Sequence, residues 1–179
     1  MNVGATSETD YGDYFMWGST TPNNDTPCDW KHAPFNGGNT SYNADVINSA
    51  KDTVCPNGIL AKEYDAASQI MGGDWRTPTK ADFEELLANT EHRYNSTVSG
   101  VVGCEFVASN GKFIFIPLSG FREGSSTISQ NYLGNVWSSS LDTADHSAAW
   151  SLNIDTDEDT DVSLYVAYRY YGHSVRGVL

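Results

Sequence analysis

Asn110-Gly111 lies between two runs of strand-forming residues, Gly103-Cys104-Glu105-Phe106-Val107-Ala108 and Lys112-Phe113-Ile114-Phe115-Ile116-Pro117. Asn-Gly readily supplies the positive φ angles of a tight turn, so the two runs are predicted to fold back on each other as an antiparallel hairpin. Ala148 to Asp155 alternates in the manner of a half-buried strand. Trp150, Leu152 and Ile154 fall on one face, and Ser151, Asn153 and Asp155 on the other. The apolar set is expected to hold the core and the polar set to face outward. Val136 to Ser140, Tyr165 to Tyr170 and Ser174 to Val178 read as further short strands, and Tyr11 to Gly18 as one closed by glycine.

Two helices are predicted among these strands. The first spans roughly Ala61 to Met71 and is ended by Gly72-Gly73. The second begins after Thr79, a good N-cap, with Asp82 three positions on as a capping-box acid; Phe83, Leu86 and Leu87 then share one face. Residues 19–58 are rich in Pro, Asn, Gly, Asp and Thr, with Trp30, Phe35 and Tyr42 as aromatic anchors, and predict a long irregular insertion. The first ten residues are polar and are expected to fray. One strand, a long loop, two helices and then several antiparallel strands make an α+β layout, with residues 1–179 forming a single domain.

Charge narrows the partners. The chain carries 10 Lys and Arg against 23 Asp and Glu, a formal net charge of −13. No Lys or Arg lies between Arg122 and Arg169, where acids are frequent. Nucleic acid is disfavoured, because its binding rests on cations that neutralise phosphates, and anionic membranes are disfavoured for the same reason. No apolar run approaches a membrane span, so no membrane insertion is expected, and no signal peptide is legible. Cys28, Cys55 and Cys104 show no C-x-x-C spacing. They allow either one disulfide with a free thiol or three buried thiols.

The last third of the chain has an unusual composition. From Gly134 onward, Val136-Trp137-Ser138-Ser139-Ser140 and Gly172-His173-Ser174-Val175-Arg176 frame a tract of Asp, Ser, Thr, Ala, Tyr and His; Lys, Gln and Met are absent after Leu141. Lys is normally among the commonest residues. The residues present share a property: with the exceptions of Trp150 and Glu158, each is reached from an Asn codon by changing only its two adenines. A tract built by adenine-directed mutagenesis has this composition; so does an acidic, solvated surface that happens to lack Lys.

Four stretches taken together resemble a known family. They are Asp10-Tyr11-Gly12-Asp13-Tyr14-Phe15-Met16-Trp17-Gly18; Asp65-Ala66-Ala67 leading to Gly73-Asp74-Trp75-Arg76-Thr77-Pro78-Thr79 and Glu84-Glu85-Leu86-Leu87; Ile114-Phe115-Ile116-Pro117-Leu118-Ser119-Gly120-Phe121-Arg122; and Trp137-Ser138-Ser139-Ser140 closing with Arg169, Gly172 and Ser174-Val175-Arg176. They resemble the bacterial major-paralogous-domain (FISUMP) group, which has a C-type-lectin-like fold related to the formylglycine-generating enzymes. Some members resemble the variable proteins of diversity-generating retroelements, in which adenine-directed mutagenesis rewrites the C-terminal part of the fold into new binding surfaces. The resemblance implies a non-enzymatic protein that binds a variant-specific macromolecular ligand, expected to be a protein, at a bacterial cell surface or on a phage particle. It also implies that residues 134–179 form the variable region and that Arg169 and Arg176 brace its frame. The formylglycine-generating enzymes use a cysteine pair in the C-terminal region, and this chain has no cysteine after Cys104. A non-diversified surface lectin or adhesin of the same fold is the first alternative, and an enzyme of the formylglycine-generating branch the second.

The candidate ligand-binding residues are Asp142, Asp145, His146, Ser151, Asn153, Asp155, Tyr165, Tyr168, Tyr170, Tyr171 and His173. Mixtures of Tyr with Ser, Asn and Asp suit recognition surfaces, because Tyr supplies amphipathic area at low entropic cost and the small polar residues adapt their hydrogen bonds. About half of the tyrosines are expected to be exposed and the rest to pack. No cofactor is predicted. Calcium is a weak candidate at Asp155, Asp157 and Asp159, although an EF-hand spacing would need Gly and Glu where Thr160 and Val166 stand. His32, His92, His146 and His173 show no metal-binding spacing.

Overall fold

A computed structural model describes residues 1–156 and 161–179. In chain order the elements are β1 (Tyr14–Phe15), α1 (Ala44–Val54), α2 (Ala66–Met71), α3 (Lys80–Asn89), β2 (Thr90–Val98), β3 (Val101–Ala108), β4 (Phe113–Pro117), β5 (Phe121–Glu123), β6 (Ser126–Ile128), β7 (Leu133–Leu141), β8 (Ala148–Asp155), β9 (Asp161–Tyr168) and β10 (His173–Ser174). The fold is α+β, with open sheets. A five-stranded sheet has the order β1-β10-β7-β8-β9, a three-stranded sheet the order β2-β3-β4, and β5 pairs with β6. No helix among the described residues is long and apolar enough to cross a membrane.

The Asn110-Gly111 hairpin forms, with Val107 opposite Phe113 and Cys104 opposite Ile116. Its turn closes as Asn110 accepts the Lys112 N–H at 3.0 Å and Lys112 O accepts the Ala108 N–H at 2.9 Å. β2 extends this sheet on the far side; Thr90–Val98 carries no apolar alternation strong enough to announce it. The N-cap of α3 is as the sequence predicts. Thr79 and Asp82 cap each other reciprocally, and the Arg76 guanidinium makes a two-point ion pair with Asp82 that holds the Asp82 carboxyl down at about 2.

Five expectations about the chain are corrected. The first ten residues do not fray throughout, since Asn2 and Val3 are buried and the Val3 N–H donates to Val175 O at 2.7 Å. The strand expected over Ser174 to Val178 is realised only at Ser174, within the two residues of β10. The helix predicted over Ala61 to Met71 is a 3-10 turn at Lys62–Tyr64 followed by α2. Asp65 divides them, because its buried carboxylate accepts from the Ser68 N–H and from both N–H and hydroxyl of Thr77, and so becomes an N-cap. The 19–58 insertion is not wholly irregular: α1 lies within it, capped by Asn43 and buried through Ile47 and Val54. Its Asn, Ser, Thr and Val content lowers helix propensity and masks the pattern. The strand expected over Tyr11 to Gly18 shrinks to the two residues of β1. Elsewhere the insertion is fixed by Asn36, fully buried, whose amide donates to the Trp30, Asn39 and Ser41 carbonyls and whose oxygen accepts the Asn43 N–H.

Two packed regions meet at the five-stranded sheet. On one face Val136, Leu152, Ile154 and Val162 pack with Phe83 of α3 and with Phe106 and Ile116 of the smaller sheet. On the other face Trp137, Ala149 and Ala167 join Phe15, Trp17 and Ala66. Each fully buried large apolar side chain contributes roughly 1.5–3 kcal/mol. The indole N–H groups are satisfied inside: Trp17 donates to Ser138 O at 3.0 Å and Trp137 to Phe15 O at 2.8 Å. Gly172 exchanges two backbone hydrogen bonds with Arg122 at 2.7 and 3.0 Å. A Cβ there would stand 2.8 Å from Cys28 Sγ and 3.0 Å from Arg122 Cβ, so the approach requires glycine.

Candidate functional site

The C-terminal tract crosses the five-stranded sheet on β8 and β9 and then turns back through residues 169–172 into β10. At that end Asp142, Asp145, Tyr165, Tyr168 and Tyr171 line one open cavity of about 290 Å³, together with Ala148, Val166 and Ala167. These five residues are dispersed over thirty positions of sequence, and the β8–β9 pairing brings them together (Ala148 opposite Tyr168, Ala149 opposite Ala167). Tyr165 is 61% exposed and Tyr168 49% exposed, while Tyr170 and Tyr171 are half-buried.

The tyrosines belong to a continuous aromatic array. Tyr168 stacks on Tyr170 at 5.8 Å, and Tyr170 meets Tyr171 at 4.5 Å. Trp30 from the insertion packs edge-on against Tyr168 at 6.1 Å and Tyr170 at 5.0 Å, and Tyr42 packs on Trp30 at 5.2 Å. Phe121 touches Tyr171 at 5.2 Å. Burial pushes the Tyr170 hydroxyl above its ordinary range, helped by Tyr171 and by Glu123, to which it donates at 3.4 Å. Sequence reasoning named Trp30 and Tyr42 only as anchors of a loop. Their isolation in a Pro- and Asn-rich stretch was the available signal that the loop packs against something aromatic.

Arg169 holds this array to the rest of the molecule. It is fully buried, donates from Nε to His146 O at 2.7 Å and from one terminal nitrogen to Pro34 O at 3.0 Å, and lies 5.7 Å from the Trp30 ring. Burial lowers its pKa to about 10, which leaves it charged at neutral pH. Among the described residues no carboxylate lies within ion-pair distance of it. A buried cation held by carbonyl oxygens is a brace between the insertion, the β7–β8 loop and the tyrosine end of β9.

Two predicted contact residues are corrected. Ser151 does not face solvent: it has no exposed surface, and its hydroxyl donates to Tyr165 O at 3.3 Å. It is flanked in register by Trp137 and Tyr165, whose bulk covers the smaller side chain. His173 is also buried, at 2% exposure. It belongs to β10, between β1 and β7, and stacks on Trp137 at 4.0 Å and 19°. Burial lowers its pKa to about 3, so the ring is neutral there.

The remaining candidates lie around or away from the cavity. His146 is half-buried with Nδ1 2.6 Å from Asn48 Oδ1 of α1. Asn153 is half-buried farther along β8, opposite Asn135 and Ser163. Asp155 is half-buried at the end of that strand, opposite Leu133 and Asp161. Trp150, expected as core, is half-buried with Lys80 Nζ 3.9 Å from its ring centroid. Of the calcium candidates, Asp157 and Asp159 lie outside the described residues, and among the described residues no three His, Cys, Asp or Glu side chains converge as a metal site. Cys28, Cys55 and Cys104 are free and buried, and burial pushes the Cys104 thiol up to about 12, with Glu105 adding to the shift. Such thiols are poor nucleophiles. Comparison with protein-family models, curated proteins and solved structures finds no match to this chain.

Proposed function

We propose that the chain is a non-enzymatic ligand-binding protein of C-type-lectin-like fold, whose C-terminal surface is diversified by a retroelement and recognises a protein ligand. The observation that carries this is the gathering of Asp142, Asp145, Tyr165, Tyr168 and Tyr171 around one cavity at the edge of an aromatic array. Exposed tyrosines next to short acids suit protein recognition, because they offer large rigid area with polar rims. The absence of Lys, Gln and Met after Leu141 supports the diversified origin of the tract. The binding protein is expected at a bacterial cell surface or on a phage particle, where variant surfaces meet their ligands.

Sequencing the locus tests diversification. A nearly identical template repeat beside a reverse transcriptase gene is expected, differing from the tract at adenines; a locus without one overturns diversification. Binding is tested separately by selecting a protein ligand for the chain and replacing Tyr165 and Tyr168 by Ala. Loss of binding is expected, and unchanged affinity overturns the assignment of this face.

A further inference from the structure

The cavity at the tyrosine end has a chemistry more specific than a generic contact surface. Tyr168 and Tyr171 both line it, 6.2 Å apart centroid to centroid with their planes tilted at 41°. Tyr165, well exposed, adds a third ring to the lining, and Asp142 and Asp145 add two carboxylates. None of the lining residues is basic. Arg169, next in sequence to Tyr168, is buried and directed at the His146 and Pro34 carbonyls.

The carboxylates are held in place with their charge uncompensated by a bonded cation. Asp142 accepts the Ala144 N–H at 3.0 Å and Asp145 the Ser147 N–H at 2.9 Å, in both cases through Oδ1. Among the described residues neither has a Lys or Arg within ion-pair distance. Ser147, through its hydroxyl and its N–H, holds the Asp145 carboxyl below its ordinary range, with smaller help from His146 and Arg169, so Asp145 is ionised at neutral pH. The volume of about 290 Å³ falls at the lower edge of the roughly 300–1,000 Å³ typical of small-molecule pockets, and suits one side chain.

We infer that this cavity takes a cationic side chain of the protein ligand, the guanidinium of an arginine or the ammonium of a lysine. The inference rests on the proposed binding role of this face. Ring faces and carboxylates both attract a cation, and the Asp142 and Asp145 turns fix the two charges without folding cost at the moment of binding. The overall charge of −13 steers a basic partner toward the molecule.

The test is an amide-shift NMR titration of the full chain with capped Gly-Arg-Gly and Gly-Lys-Gly peptides, beside Gly-citrulline-Gly and Gly-acetyllysine-Gly. Shifts confined to residues 142–148 and 165–171 are expected for the two cationic peptides, with the neutral peptides at least about fivefold weaker. The D142N/D145N double variant keeps both Oδ1 acceptors, so its turns and its spectrum elsewhere are preserved while binding weakens about tenfold. Tyr165→Leu, at an exposed position, weakens it about threefold to fivefold. Equal shifts from the citrulline peptide, or shifts spread over the acidic surface, overturn the inference. A selected protein ligand that needs Tyr165 and Tyr168 but binds unchanged when its arginines and lysines are replaced by glutamine also overturns it, while the binding face itself stands.

Discussion

The two faces of β8 are built on opposite terms. Toward α3, Leu152 and Ile154 are fully buried among Phe83, Val136 and Val162, all apolar. Toward the aromatic array, Ala149 and Ser151 are equally buried, but their surroundings hold Trp137, a neutral His173, the buried Arg169 and ordered tyrosines. One face is stabilised by close apolar packing. The other buries polar groups, of which Arg169 Nε and Nη1 reach main-chain carbonyls while Arg169 Nη2 and His173 Nδ1 have no hydrogen-bond partner among the described residues. Alternation along a strand tells which residues share a side, but whether that side meets water depends on what the rest of the chain lays over it.

Substitutions separate these two modes. The largest effect is expected at Arg169, where Arg169→Met removes the donors of the His146 and Pro34 carbonyls and should cost about 3–5 kcal/mol in chemical denaturation, with proteolysis opening first in the 29–42 segment. Leu152→Ala on the α3 face should cost about 3 kcal/mol through cavity formation. Ser151→Tyr should cost about 2 kcal/mol by overpacking; a stable Ser151→Tyr variant would place that side chain at the surface after all. His173 supplies a pH signature. Its folded pKa is depressed, so its contribution to stability is present above about 6.5, is lost as pH falls from there toward about 3, and His173→Phe should flatten the melting-temperature profile between pH 6.5 and 5. The smallest stability change, under about 0.5 kcal/mol, is expected for Tyr165→Ala, whose effect should appear in ligand binding instead.

The sequence was most informative where local chemistry determines structure on its own. Asn110-Gly111, the Thr79–Asp82 box and the Leu152/Ile154 side of β8 need no knowledge of distant residues. The division of the Ala61 to Met71 segment at Asp65 has no local signal, because it depends on Thr77, twelve positions away. Ser151 and His173 were misjudged because polar side chains become interior only when aromatic neighbours from other strands close over them. Of the eleven candidate contact residues, the five around the cavity come from the β7–β8 turn and from β9 and the turn after it, although His146 and Tyr170 of the same segments do not line it. Trp30 and Tyr42 reached the same place from an insertion that gives no periodic signal.

Arg169 reads main chain. Its partners are the carbonyls of His146 and Pro34, as those of the two buried indoles are the carbonyls of Ser138 and Phe15. A carbonyl is present whatever side chain its residue carries. The joints of the framework are therefore blind to residue identity at the positions they hold, and a library randomised at 142, 145, 165, 168 and 171 would inherit the same set of joints in each of its members.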